Sequence, residues 1–174
     1  MVSEREAHDF LAVPAKELVR PMAWVSKQGN YSPALYEYTS AVRVSGEIPE
    51  GIIFRARFRD RKTIQQGAAS VVLSPSFSAA LQIGNARIAA IDTNPGQLHT
   101  NSSRIGVGRP FYGQAIDADT HVHIWVGEYG YVEPVEPSLL DLQILLEAFY
   151  RLANIVPPRD FVDPLVGQQG TLDL

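Results

Sequence analysis

Two stretches of period-two alternation, separated by a short turn segment, constrain the fold of this chain most. Apolar or small residues alternate with polar ones over Tyr36–Val44 and again over Ile52–Phe58. Successive side chains of a β-strand point to opposite faces, so each stretch is predicted to be a strand with one buried face. The segment Gly46–Gly51, which contains Pro49, is predicted to be the hairpin loop between them. These residues therefore predict an antiparallel sheet.

Three further segments are predicted to be strands, and a long loop precedes the last of them. The segments are Ala69–Leu73, Arg87–Ile91 and His121–Val126, with Tyr129–Val135 as the predicted partner of the last. Residues 93–119 contain many Gly, Ser, Asn and Pro residues and are predicted to form one long loop. Loops of this length are uncommon in compact domains and often carry function.

A helix is predicted near each end of the chain. Ser3 and Glu6 form a capping box, which predicts a helix from about Glu4 to Ala12 that ends before Pro14. With Ser138 as its N-cap, an amphipathic helix is predicted over residues 139–153. Its predicted buried stripe comprises Leu139, Leu142, Leu146, Phe149 and Ala153. We therefore expect an α+β fold: a single, mainly antiparallel twisted sheet, the C-terminal helix packed on one face, and the short N-terminal helix at an edge or end.

The length and composition favour a single cytoplasmic domain. The 174 residues suit one domain over 1–174, and Gly167 and Gly170 predict a loosely ordered tail over residues 165–174. The charged N-terminus has no apolar segment after it, and no apolar run approaches the roughly 20 residues of a membrane span. The absence of cysteine excludes disulfides, thiolate nucleophiles and cysteine-based zinc sites. A net charge of -4 at pH 7 argues against a dedicated nucleic-acid-binding protein.

The strand predicted at residues 121–126 presents two histidines on one face. His121 and His123 are two residues apart, so both side chains point to the same side, which Trp125 is predicted to share. The alternate residues predicted to face the core are Val122, Ile124 and Val126.

The long loop is predicted to bring His99 and Asn101 near this pair. Three imidazoles could bind a metal, or act as acid and base on a phosphate, with His99, His121 and His123 as the candidate catalytic residues. The carboxylates that could assist are Asp92, Asp117, Asp119 and Glu128. We predict no bound metal, because no carboxylate stands at helical spacing to complete the ligand set. The alternatives are histidines that face solvent or make only structural hydrogen bonds, and histidines that contact a partner together with Asn101 and Trp125.

A second candidate binding feature is a row of arginines on the predicted strand over Ile52–Phe58 and just beyond it. Arg55, Arg57, Arg59 and Arg61 alternate with other residues and therefore share one face, where guanidinium groups could bind phosphates. The alternative is a solvated outer face on which these arginines pair with Glu37 and Glu47. The acidity of the chain favours this alternative, and we expect no measurable nucleic-acid binding at physiological salt.

Well-known catalytic and cofactor motifs are missing from the chain. It contains no Walker pattern, no dinucleotide-binding G-x-G-x-x-G, no G-x-S-x-G and no H-E-x-x-H. We therefore predict no cofactor.

Several short motifs are spread over most of the chain: Ser3–Leu11 followed by Pro14-Ala15-Lys16, Phe54–Arg59, Ile88–Asp92 leading to Leu98-His99-Thr100-Asn101, Thr120–Trp125, Gly127–Tyr131, and Phe149 with Ala153-Asn154-Ile155. Together these motifs resemble a family of small bacterial proteins of unknown activity, some encoded in phages and mobile elements. Two positions depart from the family: Asn101-Ser102-Ser103-Arg104 replaces Asn-Pro-Asp-Gly, and Ala153 replaces a cysteine. The resemblance implies a cytosolic bacterial protein whose site would lie at His99, Asn101, His121 and His123.

Two classes of function follow from these observations. The scattered acids and the absence of a strong motif favour a non-enzymatic binding protein with a protein partner, such as an inhibitor, an antitoxin-like partner or an adaptor. The alternative is a small histidine-dependent hydrolase that acts on a phosphodiester such as RNA, with His121 and His123 as acid, base or metal ligands and His99 assisting.

Overall fold

The fold was obtained as a computed structural model, which describes residues 2–27, 33–67 and 69–166. The helices are α1 (Glu4–Ala12) and α2 (Leu142–Leu152). Within the described residues the strands are β1 (Glu17–Leu18), β2 (Val25–Lys27), β3 (Leu35–Arg43), β4 (Ile52–Arg59), β5 (Lys62–Gln66), β6 (Ala69–Leu73), β7 (Ser76–Ile83), β8 (Ala86–Thr93), β9 (His99–Thr100), β10 (Ala115–Ile116), β11 (Thr120–Ile124) and β12 (Val132–Pro134). Neither helix has the length and apolar character needed to cross a membrane.

The strands form one large antiparallel sheet and two small ribbons. The sheet has eight strands in the order β1-β3-β4-β7-β8-β11-β12, and β2 joins β3 beside β1. Strands β5 and β6 form one ribbon, and β9 and β10 form the other inside the predicted long loop. Every strand pair among the described residues is antiparallel, which confirms the predicted α+β class and sheet type.

Helix α2 covers one face of the sheet and completes the core. The ring centroid of Phe54 on β4 lies 5.7 Å from those of both Phe149 and Tyr150. Leu142, Leu146 and Phe149 are buried, as the amphipathic pattern predicts. The helix begins three residues later than predicted, because Asp141 rather than Ser138 caps it. The Leu139 amide donates instead to Thr120 Oγ1, which draws the preceding segment onto β11.

Helix α1 has the bounds predicted from its capping box and from Pro14. The Ser3 hydroxyl accepts from the Glu6 amide, and the Glu6 carboxylate accepts from the Ser3 amide. Ala7 is buried in the core. Lys16 then joins the two helices, because its fully buried ammonium group donates to the carbonyls of Leu11, Val13 and Ala153. Burial lowers the pKa of Lys16 to about 8.

Strand β7 is a central strand that was not among the strands predicted from the sequence. Its segment Ser76–Ile83 does show a strand period, because apolar side chains recur at every second residue from Phe77 to Ile83. Both of its edges are paired, with β4 and with β8. Of the predicted tail, residues 167–174 lie outside the described part of the chain.

Candidate functional site

A row of polar residues crosses the face of the sheet opposite α2. Antiparallel register places Arg57 on β4 next to Ser78 on β7, Ser78 next to Asp92 on β8, and Asp92 next to His121 on β11. His123 lies on the same face two residues further along β11, opposite Ala90. Residues paired directly across neighbouring strands have side chains about 5 Å apart. Strand pairing therefore assembles this group without any contribution from the helices.

The three histidines named from the sequence meet at this row. The ring centroid of His99 lies 5.3 Å from that of His121 and 5.6 Å from that of His123, and the centroids of His121 and His123 are 5.1 Å apart. His121 and His123 are each 4% exposed. The alternative in which this pair faces solvent is therefore wrong, because the long loop folds back over β11 and covers it.

Asp92 is the carboxylate that joins the cluster. Its Oδ2 lies 2.9 Å from His123 Nε2, and its Oδ1 accepts from Arg87 Nη2 at 2.5 Å. Burial alone would raise the pKa of Asp92, but the contacts with His123 and Arg87 outweigh it and hold that pKa below its usual range. Asp92 is thus an ionised carboxylate at neutral pH, with one oxygen held by a guanidinium group and the other directed at an imidazole.

Burial also determines the protonation state of His121. Desolvation, with a smaller contribution from neighbouring His123, lowers the pKa of His121 to about 4. The imidazole is therefore neutral at pH 7. A neutral imidazole can accept a proton or donate a lone pair, which are the two properties that a general base and a metal ligand need.

The long loop holds His99 in place through a ribbon and one buried amide. His99 on β9 pairs with Ile116 on β10, and its Nε2 lies 3.2 Å from the Gly130 carbonyl. Asn101 is 1% exposed; its Nδ2 donates to Phe111 and Val132 carbonyls, and its Oδ1 accepts from the Val132 amide. These bonds use the whole side-chain amide of Asn101. It therefore anchors the loop to β12, and the binding role predicted for it gains no support from these contacts.

Of the two aromatic residues that lie close to His123 in the sequence, Tyr129 packs against the histidines and Trp125 does not. Tyr129 stacks on His123, with ring centroids 5.6 Å apart and planes at 11°, and its hydroxyl accepts from Arg87 Nη1. Trp125 was predicted to share the histidine face, and this prediction is wrong. Strand β11 ends at Ile124, so Trp125 turns to the core side, packs against the apolar cluster there, and donates to the Val2 carbonyl.

The arginine row borders the histidine cluster on one side. Arg57 and Arg59 line the same pocket as the three histidines, which has a volume of about 430 Å³. Arg57 Nε lies 3.0 Å from Glu37 Oε2 and Arg55 Nε lies 3.6 Å from it, so the predicted pairing with Glu37 is confirmed. Arg55 and Arg57 share this one carboxylate. Lys27 also pairs with Glu37, so this single carboxylate faces three cationic side chains.

Two residues of the site, Tyr129 and Arg87, were not among the site residues predicted from the sequence. Tyr129 was predicted only as part of a strand, and Arg87 only as the start of one. Arg87 and Asp92 are five residues apart, which places them on opposite faces of a regular strand. A register shift opposite Leu81 and Gln82 inserts an extra residue into β8 and brings Arg87 to the face of Asp92.

Of the other carboxylates that the sequence offered as partners of the histidines, Asp119 accepts a hydrogen bond from the Gly96 amide in the loop.

Comparison of the chain with models of protein families, with curated proteins and with solved structures gives no match.

Proposed function

We propose that the protein is a small histidine-dependent hydrolase that acts on a phosphodiester. The observation that carries this proposal is the meeting of His99, His121 and His123 in one pocket that Arg57 and Arg59 also line. Convergence in a pocket is the arrangement that distinguishes a histidine-based active site from an H-x-H pair on an ordinary strand face.

The chemistry of phosphodiester hydrolysis matches the groups in the pocket. Attack of water on phosphorus needs a proton acceptor or a Lewis acid. The neutral imidazole of His121 can serve as a weak proton acceptor, or as a ligand of an ion that acts as the Lewis acid. The charge that grows on the phosphate oxygens needs cations, and guanidinium groups pair well with phosphates. In this proposal Arg57 and Arg59, which line the pocket, supply these cations. In the same proposal His99, which is half-buried and lines the same pocket, exchanges a proton with the leaving oxygen.

Hydrolysis of bis(4-nitrophenyl) phosphate and of a short single-stranded RNA tests the proposal. We expect His121→Gln and His99→Ala each to reduce the rate by about 100-fold or more, the usual contribution of acid–base groups. His8→Ala is the matched control, because His8 lies exposed on α1 with 84% of its side chain accessible. Thermal unfolding would establish that each variant keeps its fold. Equal rates for wild type and His121→Gln would exclude the proposal.

A second candidate, a binding protein with a protein partner, is favoured by the ribbon formed by β5 and β6. All five residues of β6 are exposed, including Val71, Val72 and Leu73 at 40%, 60% and 44%. Contiguous exposed apolar residues on a strand pair are a common feature of protein-contact surfaces. Cross-linking and affinity capture in the native cell would test it: a specific partner should be lost with Val72→Ser/Leu73→Ser and kept with His121→Gln.

A further inference from the structure

We infer that Asp92, His121 and His123 bind a divalent transition-metal ion, with Zn²⁺ as the best fit. For its role in the reaction this inference rests on the proposed hydrolase, while the site itself is argued from ligand geometry. The sequence predicts no metal, because no carboxylate stands at helical spacing to complete the ligand set. The carboxylate comes instead from the neighbouring strand, where register pairs Asp92 with His121.

The three side chains offer ligand atoms at distances that suit a single ion. One atom from each of Asp92, His121 and His123 lies within 4.8 Å of the other two. A tetrahedral zinc ion with bonds of about 2.0–2.2 Å places its ligand atoms roughly 3.3–3.6 Å apart. Small side-chain rotations are enough to close this difference, because all three residues stand on two adjacent, paired strands.

An independent observation points to a missing ligand at this position. His123 is 4% exposed, and neither of its ring nitrogens has a hydrogen-bond partner among the residues that the structure describes. Nε2 approaches Asp92 Oδ2 to 2.9 Å, but the two groups are not aligned for a hydrogen bond. Buried imidazole nitrogens are normally paired. A metal ion between these three side chains would provide a partner for a ring nitrogen of His123, and it would also bind Asp92 and His121.

The surroundings of the cluster match what metal ligands need. Arg87 holds Asp92 Oδ1 and thereby leaves Oδ2 as the oxygen that points to His123. Partners of this kind orient the ligands of metal sites. Two imidazoles and one carboxylate favour zinc or a similar transition metal over Mg²⁺ and Ca²⁺, which prefer oxygen ligands throughout. Three protein ligands leave a coordination position for water, which a bound Zn²⁺ would make more acidic.

Calorimetric titration of tag-free, chelator-treated protein with Zn²⁺ tests the site. We expect one ion per chain, with a dissociation constant of about 1 μM or tighter, and a rise in melting temperature that EDTA reverses. His121→Gln and Asp92→Asn should abolish this binding, and Arg87→Met should weaken it by about 10-fold to 100-fold. His8→Ala should leave it unchanged. Circular dichroism would verify that each variant is folded, and the rise in melting temperature of the wild type does not depend on any variant.

The outcomes separate this inference from the proposed function. Zinc binding by the wild type that is lost in His121→Gln and Asp92→Asn supports the site even if no phosphodiester is hydrolysed. Absence of zinc binding by the wild type overturns the site, and hydrolysis that persists after chelation would then leave the hydrolase proposal standing with a metal-free mechanism. Zinc binding that survives in both ligand variants but is lost in His8→Ala also overturns the site, since the ion would then lie on α1.

Discussion

Asp92 on β8 and His121 on β11 are direct partners across two antiparallel strands, although they are 29 positions apart in the chain. Their pairing places a carboxylate beside the H-x-H motif on the face of the sheet opposite α2. His123 then approaches the other side of the same carboxylate, at 2.9 Å from Oδ2. The candidate site is thus a product of strand register, and the loop that carries His99 closes over it.

Truncation of the α2 core residue Leu146 should destabilise the fold strongly. Leu146 is 1% exposed, and Leu146→Ala should lower the free energy of unfolding by about 2–5 kcal/mol, as large-to-small core changes do. Ile144→Ala on the exposed side of the same helix is the control, and we expect a small effect from it. Urea denaturation of both variants would measure the difference. A loss below about 0.5 kcal/mol for Leu146→Ala would mean that this face of α2 does not pack on the sheet.

Replacement of Lys16 should destabilise the protein, because Lys16 connects the C-terminal ends of α1 and α2. Its ammonium group donates to the part-buried carbonyls of Leu11 and Val13 and to the buried carbonyl of Ala153, and Lys16→Met removes this donor. An unsatisfied buried polar group costs about 1–3 kcal/mol, so we expect a loss of about this size in the free energy of unfolding. Lys62→Met on the exposed β5 should be nearly neutral. Comparable stabilities of the two variants would contradict the capping role of Lys16.

Glu37 should make the stability of the protein depend on acid pH. Burial alone would raise its pKa, but hydrogen bonds and ion pairs with Lys27, Arg57 and Arg55 hold it below the usual value. Between the folded and unfolded pKa values the unfolded chain therefore binds more protons. The stabilisation by Glu37 is present above the unfolded pKa and is lost as the pH falls through the lower folded pKa.

Denaturation of wild type and Glu37→Gln between neutral and strongly acidic pH would measure this dependence. We expect the wild type to be more stable at pH 7 and the difference to shrink steadily on acidification. A difference that stays constant over the whole range would show that the ion pairs of Glu37 do not act through its charge.

The arginine row should affect substrate binding more than the chemical step. Arg57→Ala and Arg59→Ala should raise KM for a phosphodiester, because they line the pocket beside the histidines. Arg43→Ala is the control, since Arg43 pairs with Glu17 at the opposite end of the sheet. We also expect no tight complex with RNA or DNA at physiological salt. A tight complex whose affinity falls steeply with salt would instead assign the row to nucleic-acid binding.

The sequence alone determined the features that depend on neighbouring residues. The capping box and Pro14 predicted α1 with its bounds, and the three- and four-residue spacing predicted α2 and its buried Leu142, Leu146 and Phe149. The H-x-H spacing placed His121 and His123 on one face, which the structure confirms. Each of these follows from helix or strand periodicity, which acts over a few residues and is therefore visible in a single chain.

Only the tertiary structure decided which of the scattered polar residues meet. Asp92 was one of four carboxylates that could assist the histidines, and the register between β8 and β11 selected it. Arg87 lies at the site because of a register shift in β8, which strand periodicity does not reveal. Trp125 does not lie there, because β11 ends at Ile124. The burial of the histidines depends on a loop anchored by Asn101 to a strand 31 residues away. A short turn fixes the register of a hairpin, but β8 and β11 are joined by the long loop instead. The register between them and the burial of the histidines therefore depend on contacts between distant segments, which a local pattern does not specify.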